Sequence, residues 1–488
     1  MERLSRAVLV IFGITGDLSR RKLLPALYRL EKSGLLPRGF RIVGISRRGT
    51  EVTDVIDLTR ESIGSGADEG VLKRLGDALS MVDMKIDDPE GYDPLVRRLQ
   101  ELESEAGQPL IRMFYLAIPA TLFGTVTERL SRPDINALLE GRREARFLVE
   151  KPFGYDMKSA LALVEDLNRR FDPAQVYRID HYLAKETAQN ILAFRFENPL
   201  FCKAWNNRHV SHIMITASES IGIEGRTSFY ENMGALRDLV QSHLLQLLAL
   251  VTMRKPRSMR DSDIHAEKER ILQRVMPPEP VRMREDTVRG QYDTYRAETG
   301  KPDSAVETYA AMKLTIDDDE WRGVPVFIRT GKALSSKITE INMVFSGDSQ
   351  DGRRNVLTLR IQPNEGIAID LVIKRPGFEE AAEDVQLDFC YRDKLALDHP
   401  EAYERVLYDA MRGDRTLFAT NEEVLQCWRV TEPILKAWSD PAFPLEIYPK
   451  GSWGPKAADR LIEGSGISWF TDAHDVCPLP RAPLRAKE

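Results

Sequence analysis

Short apolar stretches alternate with helix-spaced segments in the first part of the chain. Residues 7–12 are an unbroken apolar run, and further strands are predicted at residues 40–46, 113–119 and 146–150. Unbroken apolar runs are typical of strands that are buried on both faces of a parallel sheet. Because strand and helix alternate, the pattern predicts an α/β, Rossmann-type domain at the N-terminus.

The pattern changes from about residue 211, where longer strands follow one another. We predict strands at residues 211–219, 308–317, 325–332, 340–346, 355–362, 366–375 and 384–392. This succession predicts an α+β second domain with a large, mainly antiparallel sheet. Helices are predicted at residues 233–253, 402–411 and 422–438. An exposed sheet face of this size is prone to association, so we expect a subunit interface to cover it, in a homodimer or homotetramer.

Composition narrows the class of protein. The chain has 488 residues, with 69 basic against 75 acidic side chains and a net charge of −6. That balance gives no electrostatic footprint for nucleic acid, and no apolar run reaches the length of a membrane span. The cysteines and histidines show no metal-ligand spacing, so we expect no metal site. Because the chain shows no signal-peptide core and its cysteines are scattered, we expect reduced thiols in a cytoplasmic protein.

A glycine-containing turn joins the first strand to the helix that follows it. Such a turn lets the backbone approach a pyrophosphate, which the start of the helix then holds. Only two of the usual three glycines are present, so the dinucleotide-binding fingerprint is incomplete. The candidate cofactor-binding residues of the turn are Gly13, Ile14, Thr15, Gly16, Asp17 and Leu18.

The second strand ends in Arg47 and Arg48. Sites for NAD usually carry Asp or Glu here for the ribose diol, whereas arginine accommodates the 2′-phosphate of NADP. The pair therefore favours NADP, with NAD as a weaker alternative, although surface arginines after an edge strand would look the same. We accordingly predict a dinucleotide-binding, Rossmann-like domain at 1–177 and a domain for substrate binding and oligomerisation at 178–488.

The segment 178–186 joins a short strand to a predicted helix. Asp180 ends the strand, while His181 and Lys185, four residues apart, are predicted to share one face of the first helical turn. A helix start offers free N–H groups and a partial positive charge, so these side chains would complete a phosphate or carboxylate site. A capped helix with a solvated basic face is the alternative.

Lys151 follows the predicted strand at 146–150. Ligands in open α/β sheets bind beyond the carboxyl ends of the strands, so Lys151 is placed to contact cofactor or substrate. Pro152, followed two residues later by Gly154, indicates a tight turn and makes the Lys151–Pro152 bond a candidate cis peptide.

These motifs resemble, in the same order, those of the glucose-6-phosphate dehydrogenase family. The matching segments are Gly13-x-x-Gly16-Asp17-Leu18-x-x-Arg21-Lys22-Leu23-x-Pro25-Ala26-Leu27, Glu150-Lys151-Pro152-Phe153-Gly154, Arg178-Ile179-Asp180-His181-Tyr182-Leu183-x-Lys185-Glu186, Arg237-Asp238-x-x-Gln241-x-His243-Leu244, Arg329-x-Gly331-Lys332 and Pro400-Glu401-Ala402-Tyr403-Glu404-Arg405. The similarity runs from about residue 5 to residue 470. The histidine motif at 178–186 is highly specific for the family, whereas the glycine motif alone is not.

The resemblance implies oxidation of the C1 hydroxyl of glucose 6-phosphate to 6-phosphoglucono-1,5-lactone with hydride transfer to NADP, the first step of the oxidative pentose phosphate pathway. It implies that His243 is the general base and that Asp180 orients its imidazole. The implied substrate contacts are His181, Tyr182 and Lys185 for the phosphate, Glu219 and Asp238 for the sugar hydroxyls, Lys332 and Lys337 near the substrate, and Lys151 between sugar and nicotinamide.

Without the resemblance, several of these residues have plainer interpretations. His243 has apolar neighbours on a helical wheel, as a core histidine would. Asp238 lies five positions earlier, about 140° round an ideal helix. The two side chains would therefore reach one sugar only if it lay across the helix or if the first turn were distorted. Glu219, Lys332 and Lys337 would be surface charges at strand ends.

Three positions depart from the family pattern: Ala184, Ser242 and Ala120 stand where Gly, Asn and Pro are common. None of them removes a proposed chemical group. Two other functions stay open. One is a Rossmann sugar dehydrogenase of the glucose–fructose oxidoreductase type, which also carries Glu-Lys-Pro after a strand. The other is a non-catalytic relative that binds nucleotide or sugar phosphate and regulates a partner.

Overall fold

The computed structural model of the chain describes residues 6–47, 49–136, 138–139, 142–143, 145–347, 353–378, 381–391, 400–463 and 468–471. The chain divides into two compact units. The first comprises Met1–Gly154, Lys158–Ala184 and Pro400–Asn421, and the second comprises Tyr155–Met157, Lys185–His399 and Glu422–Glu488. The domain boundary after residue 177 stays a prediction. The first compact unit itself continues to Ala184 and takes in a segment from late in the chain.

Strands and helices alternate along the first 180 residues, and long strands dominate from about residue 287 to residue 390. The strands, in chain order, are β1 (Ala7–Phe12), β2 (Arg41–Ser46), β3 (Leu79–Asp83), β4 (Ile111–Leu116), β5 (Leu138–Leu139), β6 (Arg142–Arg143), β7 (Arg146–Val149), β8 (Val176–Ile179), β9 (Val210–Ser218), β10 (Val275–Met276), β11 (Thr287–Tyr292), β12 (Tyr309–Ile316), β13 (Val326–Gly331), β14 (Ile338–Phe345), β15 (Val356–Gln362), β16 (Gly366–Lys374), β17 (Ala382–Cys390), β18 (Phe418–Ala419) and β19 (Glu446–Tyr448). The α-helices are Leu24–Lys32, Val52–Ile63, Glu69–Ala78, Asp93–Ala106, Phe123–Leu130, Met157–Arg170, Glu186–Glu197, Pro199–Cys202, Thr227–Ala235, Leu245–Thr252, Asp261–Leu272, Met283–Asp286, Tyr295–Thr299, Ala402–Arg412 and Asn421–Trp438. Two segments, Ser19–Leu23 and Leu236–Leu244, are π-helices.

The sheet of the first unit has the strand order β18-β8-β7-β4-β1-β2-β3. Neighbouring strands are parallel except β18, which pairs antiparallel with β8. β1 lies between β2 and β4 and is buried along its whole length, as its unbroken apolar sequence requires. The strand order reverses between β1 and β4, which is the switch point where open α/β sheets bind ligands. The predicted α/β, Rossmann-type class is confirmed.

The sheet of the second unit has ten strands in the order β17-β16-β15-β14-β9-β13-β12-β11-β19, with β10 beside β12. Most neighbours are antiparallel, and the parallel pairs are β9 with β13 and β11 with β19. The predicted α+β class with a large, mainly antiparallel sheet is therefore confirmed. The strands predicted from residue 211 onward all form, with bounds shifted by at most about two residues, as is usual for strand ends. Strands β10, β11 and β19 are additional.

The helix predicted at residues 233–253 is broken into three segments. Gly234 interrupts the first of them with φ +66° and ψ 173°, which is not a helical conformation. The π-helix Leu236–Leu244 follows, and the α-helix Leu245–Thr252 continues from it. The last of these segments is buried along its whole length. The prediction of one regular α-helix is wrong here.

Other expectations concern cysteines, membranes and metals. Cys202 and Cys427 are free thiols, whereas Cys390 is disulfide-bonded, so the expectation of reduced thiols throughout is wrong for Cys390. Cys477 lies outside the described residues. Within the described ranges, no helix has both the length and the apolar character needed to cross a membrane. In that same part of the chain, no three His, Cys, Asp or Glu side chains are grouped as metal ligands.

Candidate active site

The turn after β1 brings backbone atoms close together at the switch point of the first sheet. Gly13 has φ +82°, and a Cβ atom at this position would lie 2.4 Å from the carbonyl oxygen of Ala117, just beyond β4. Only glycine fits such a position. The Gly13 carbonyl accepts hydrogen bonds from the Gly16 N–H and the Ser19 hydroxyl, each at 2.9 Å. These bonds fold the turn directly into the helix that follows.

The side chains of this turn divide into buried and exposed positions. Ile14 is fully buried, and Gly44 on β2 makes room for it, since a Cβ at Gly44 would lie 2.7 Å from Ile14 Cδ1. Thr15 and Asp17 are exposed, and Asp17 pairs with Arg21 at 2.8 Å. The turn therefore offers a ligand an open backbone with polar side chains around it. This arrangement fits the pyrophosphate of a dinucleotide.

Two more positions bear on the cofactor. Leu18 is half-buried at the start of the helix. Arg47 is exposed directly after β2, the strand beside β1. Arg48 lies outside the described residues. An exposed guanidinium one strand along from the glycine turn fits a second phosphate, because its planar fork matches phosphate oxygens.

The turn after β7 is as tight as its sequence indicates. The Lys151–Pro152 bond is cis, which confirms the candidate cis peptide. Gly154 has φ +88°, and a Cβ atom there would lie 2.6 Å from the backbone nitrogen of Ala160. Lys151 is half-buried at the carboxyl end of β7.

The segment after β8 is a turn, so one prediction about it is wrong. Asp180 is buried, and its Oδ1 accepts the Tyr182 N–H at 2.9 Å while its carbonyl accepts the Leu183 N–H at 3.1 Å. These bonds close a local turn of the kind that Asp favours over helix. The helix begins only at Glu186, and Lys185 precedes it with an extended backbone. His181 and Lys185 therefore do not share a helical turn.

Glu150 is the centre of a hydrogen-bond network of residues for which no role was predicted. The Tyr115 hydroxyl donates to Glu150 Oε1 at 2.6 Å, and Tyr403 donates to the same carboxylate. Burial raises the pKa of Glu150, and the two tyrosine hydrogen bonds partly offset that effect. The ring of Tyr403 also stacks on His181, with centroids 6.4 Å apart. The signal was present in the sequence, because Glu150 and Tyr403 both lie in segments that match the family.

In the second unit, parallel pairing places Glu219 and Lys332 together. Glu219 follows β9 and Lys332 follows β13, and these neighbouring strands run in the same direction. Lys332 Nζ donates to Glu219 Oε2 and lies 3.9 Å from Asp238 Oδ2. It also lies 5.2 Å from the centre of the Tyr230 ring. The plainer interpretation of Lys332 as a surface charge is wrong, since the residue is 7% exposed.

The turn after Lys332 is held in an unusual conformation. Ala333 has φ +52°, which is uncommon for a residue with a Cβ atom. Its N–H donates to the Ile221 carbonyl, and the Leu334 N–H donates to the Glu219 carbonyl, both at 2.9 Å. Backbone strain of this kind persists only where surrounding bonds fix it, and it is frequent at ligand sites.

Of the two remaining lysines of the predicted site, Lys185 lies near a carboxylate and Lys337 is exposed. Lys185 Nζ lies 3.6 Å from Glu365 Oε1 in the turn between β15 and β16, so a carboxylate already faces this predicted phosphate ligand. Lys337 is exposed just before β14. No motif in the sequence indicates a role for Glu365.

The π-helix Leu236–Leu244 aligns two of the predicted residues. In a π-helix each N–H bonds to the carbonyl five residues earlier, so residues five apart lie much closer in angle round the axis than in an α-helix. Asp238 and His243 are five apart, and both are buried. They therefore share one face of this helix, which removes the angular conflict that a regular α-helix would impose. Single-turn π segments occur frequently at functional sites.

The predicted site residues are distributed over both compact units. Lys151, Asp180, His181 and Tyr182 belong to the first unit, together with the glycine turn and Arg47. Lys185, Glu219, Asp238, His243, Lys332 and Lys337 belong to the second. The pairing of Asp180 with His243 joins residues of different units and stays a prediction.

Comparison with protein families gives two adjacent matches. Residues 10–190 match the family described as glucose-6-phosphate dehydrogenase, NAD binding domain. Residues 192–470 match the family described as glucose-6-phosphate dehydrogenase, C-terminal domain. The first match contains the glycine turn and Asp180, and the second contains the π-helix and Lys332. A nicotinamide-binding domain is thus assigned to the part of the chain with the Rossmann-type sheet.

Individual proteins are similar over nearly the whole chain. The glucose-6-phosphate 1-dehydrogenase of Chlamydia muridarum is 39% identical, covering 95% of this chain and 96% of its own. That of Bacillus subtilis is 38% identical, covering 95% and 98%. A solved glucose-6-phosphate dehydrogenase in complex with its substrate glucose-6-phosphate is 33% identical, with a TM-score of 0.88 over 96% of this chain and all of the other. The corresponding enzyme from Mycobacterium avium is 35% identical, with a TM-score of 0.81 over 94% and 98%. The chain is therefore a member of the glucose-6-phosphate dehydrogenase family.

Proposed function

We propose that this protein is an NADP-dependent glucose-6-phosphate 1-dehydrogenase, which oxidises the C1 hydroxyl of D-glucose 6-phosphate to 6-phosphoglucono-1,5-lactone. The observation that carries the proposal is the match, over 96% of the chain, to a dehydrogenase solved with this substrate. The aligned pair Asp238 and His243 on the π-helix supports it. We further propose a cytoplasmic enzyme that performs the first step of the oxidative pentose phosphate pathway.

The reaction needs a base that removes the proton of the C1 hydroxyl while hydride leaves C1. His243 is proposed for this role, because a neutral imidazole accepts a proton near pH 7. Asp180 is proposed to hold the imidazole in the correct orientation and to stabilise its protonated form. Both side chains are buried, so the proton is transferred away from bulk water. When bound, NADP supplies the acceptor for the hydride.

The other predicted residues would hold the sugar ester. His181, Tyr182 and Lys185 are proposed to bind the phosphate, and Lys185 would then exchange its contact with Glu365 for the stronger double charge of the phosphate. The sugar hydroxyls are assigned to Glu219 and Asp238 of the second unit. Lys332 and Lys337 are proposed to lie near the substrate. Lys151 is proposed to lie between sugar and nicotinamide.

The glycine turn and Arg47 are proposed to bind NADP. The pyrophosphate would lie against the backbone from Gly13 to Leu18, where a Cβ at Gly13 would be too close to Ala117 for any other residue. The 2′-phosphate would contact Arg47. NAD lacks this phosphate and would bind more weakly.

An apolar patch supports the proposed homodimer or homotetramer. Strand β17 lies at one end of the large sheet, and its Leu387 is 57% exposed. Phe389 on the same face and Ile373 on β16 are also exposed. Exposed apolar strands at a sheet edge favour association. Leu387→Glu should therefore lower the mass measured by light scattering, whereas Gln386→Glu, on the opposite face, should leave it unchanged.

One assay tests the reaction itself. The purified protein is mixed with glucose 6-phosphate or glucose and with NADP or NAD, in all pairings, and the absorbance of reduced nicotinamide is followed. We expect a fast reaction only with glucose 6-phosphate, and faster with NADP than with NAD at equal low concentrations. Equal rates with glucose would contradict the proposal and favour a sugar dehydrogenase that does not use the phosphate site.

A further inference from the structure

Glu307 caps the π-helix from a distant part of the sequence. Its Oε1 accepts the Leu236 N–H at 3.2 Å, and its backbone carbonyl accepts the Ala235 N–H at 2.9 Å. Leu236 is the first residue of the π-helix, and the helix has no side-chain cap of its own. The first N–H groups of a helix have no partner within it, so Glu307 satisfies two groups that would otherwise be unpaired. The two positions are 71 residues apart in the sequence.

Gly234 is shaped to receive this carboxyl group. Its φ of +66° lies in the left-handed region, and a Cβ atom there would lie 2.2 Å from Glu307 Oε1. The carboxyl therefore occupies the space that the missing side chain leaves. Glu307 is 7% exposed, so the contact is shielded from water. A side chain that fits one backbone position this closely fixes where the helix starts and in which direction it runs.

The next residue, Thr308, holds the turn that carries Lys332. The Thr308 carbonyl accepts the Lys332 N–H at 2.9 Å. The hydroxyl of Tyr448 contacts the Thr308 hydroxyl at 2.8 Å and donates to the Lys332 carbonyl at 2.7 Å. Two consecutive residues therefore hold the backbone on both sides of the contact between Lys332 and Asp238, which are 3.9 Å apart.

We propose that Glu307 is a positioning residue that sets the π-helix bearing Asp238 and His243 relative to Lys332. This inference rests on the proposed function, because it assigns these three side chains to the substrate. Glu307 itself acts through the helix backbone and does not contact the sugar. The role needs an acceptor oxygen at Oε1 and does not need a negative charge.

Two substitutions separate positioning from charge. Glu307→Gln keeps an amide oxygen in place of Oε1, whereas Glu307→Ala removes the acceptor. We expect Glu307→Ala to lower kcat about 100-fold, because a displacement of roughly 1 Å at reacting groups has that effect. Glu307→Gln should retain kcat to within a few-fold. Equal losses in the two variants would overturn the proposal, since the charge would then matter more than the hydrogen bond.

A second readout does not depend on activity. Hydrogen exchange, followed by mass spectrometry of the peptide containing residues 236–244, should accelerate in Glu307→Ala and stay near wild type in Glu307→Gln. Should wild type prove inactive on glucose 6-phosphate, the proposed function would fail while this measurement still tests the helix. Unchanged exchange in that peptide, with a general loss of stability, would show a structural role only and overturn the inference. If Glu307→Ala does not fold, Glu307→Asp, which withdraws the carboxyl group, replaces it in both measurements.

Gly234 provides an independent check on the same contact. Gly234→Ala forces a methyl group against the carboxyl and should lower kcat in the wild-type background. In the Glu307→Ala background the conflict with the carboxyl is absent and only the backbone strain of an alanine at φ +66° remains, so the added effect of Gly234→Ala should be smaller. Additive effects of the two substitutions on kcat would mean that the residues act independently, which would refute the proposed fit.

Discussion

Replacing Lys268 by methionine would leave a buried carboxylate without its ammonium partner. Glu423 is fully buried, and its Oε2 accepts a hydrogen bond from Lys268 Nζ at 2.9 Å while its Oε1 lies 2.8 Å from His265 Nδ1. His265 and Lys268 lie on helix Asp261–Leu272, and Glu423 lies near the start of helix Asn421–Trp438. The three side chains thus join two helices of the second unit through charge rather than through apolar contact.

The lowered pKa of Glu423 and the usual cost of an unpaired buried charge correspond to similar free energies. Burial alone would raise the pKa of Glu423, but Lys268 and His265 lower it from 4.5 to about 2. At 1.36 kcal/mol per pH unit, that fall corresponds to roughly 3 kcal/mol of stability. The loss of one partner from a buried ion pair generally costs about 3–5 kcal/mol. Lys268→Met should therefore lower the stability of the second unit by about 3 kcal/mol, or its Tm by roughly 6–10 °C.

The sign of the pH dependence follows from the lowered pKa. A carboxyl group whose folded pKa is below its unfolded value stabilises the fold above about pH 4.5, and this contribution is lost as the pH falls toward 2. The difference in Tm between wild type and Lys268→Met should therefore be larger at pH 7 than at pH 4.5 and should continue to shrink as the pH falls toward 2.

Thermal unfolding followed by circular dichroism measures the effect. The double variant Lys268→Met/Glu423→Gln removes both charges and should be more stable than Lys268→Met, because no charge remains buried without a partner. Lys203→Met, at an exposed position of the same unit, is the matched control and should change Tm little. A loss below about 1 kcal/mol in Lys268→Met, or a double variant less stable than the single one, would refute this reasoning.

Three further substitutions test the proposed site. His243→Asn should abolish turnover while glucose 6-phosphate still binds in equilibrium dialysis, because a general base lowers the barrier more than it stabilises the ground state; parallel losses of rate and binding would contradict that role. Lys185→Ala should raise KM for glucose 6-phosphate at least tenfold, since a charged hydrogen bond to phosphate contributes about 1.5–3 kcal/mol, and an unchanged KM would remove Lys185 from the phosphate site. Arg47→Ala should raise KM for NADP while leaving KM for NAD unchanged; equal effects on both cofactors would show that Arg47 does not read the 2′-phosphate.

The sheets could be predicted because a buried strand is a run of consecutive or alternating apolar residues, which is visible in the local sequence. Strand β1 is six apolar residues in a row and is buried on both faces, so its pattern alone identifies it. The apolar pattern does not predict strand β11, because three of its six buried residues, Thr287, Arg289 and Gln291, are polar. The guanidinium of Arg289 donates hydrogen bonds to the carbonyls of Trp438 and Phe443, about 150 residues away. Partners at such distances leave no trace in the local pattern of apolar residues.

The chemistry of the site was easier to predict than its local conformation. Asp180 was correctly placed at the end of a strand, but its own side chain bonds the Tyr182 N–H and delays the helix to Glu186. A helical spacing of apolar residues does not reveal such competition, because the side chain satisfies the same backbone groups that a helix would use. The pairing of Lys332 with Glu219 likewise depends on β9 and β13 becoming parallel neighbours, although they are far apart in the chain.

The sequence shows that Asp238 and His243 are five residues apart, but it does not show how a helix could place both side chains at one sugar. In an α-helix the two side chains would diverge by about 140°, so their joint assignment to one sugar demands a helix of another kind. The structure has that helix, since i→i+5 bonding brings residues five apart onto one side of the helix. Nothing within the segment itself requires this geometry, because its residues would also form a regular α-helix. Its start is instead set where Gly234 leaves space and Glu307 supplies acceptors. The contacts that fix the start of the helix carrying Asp238 and His243 therefore come from residues outside the sequence motif that contains this pair.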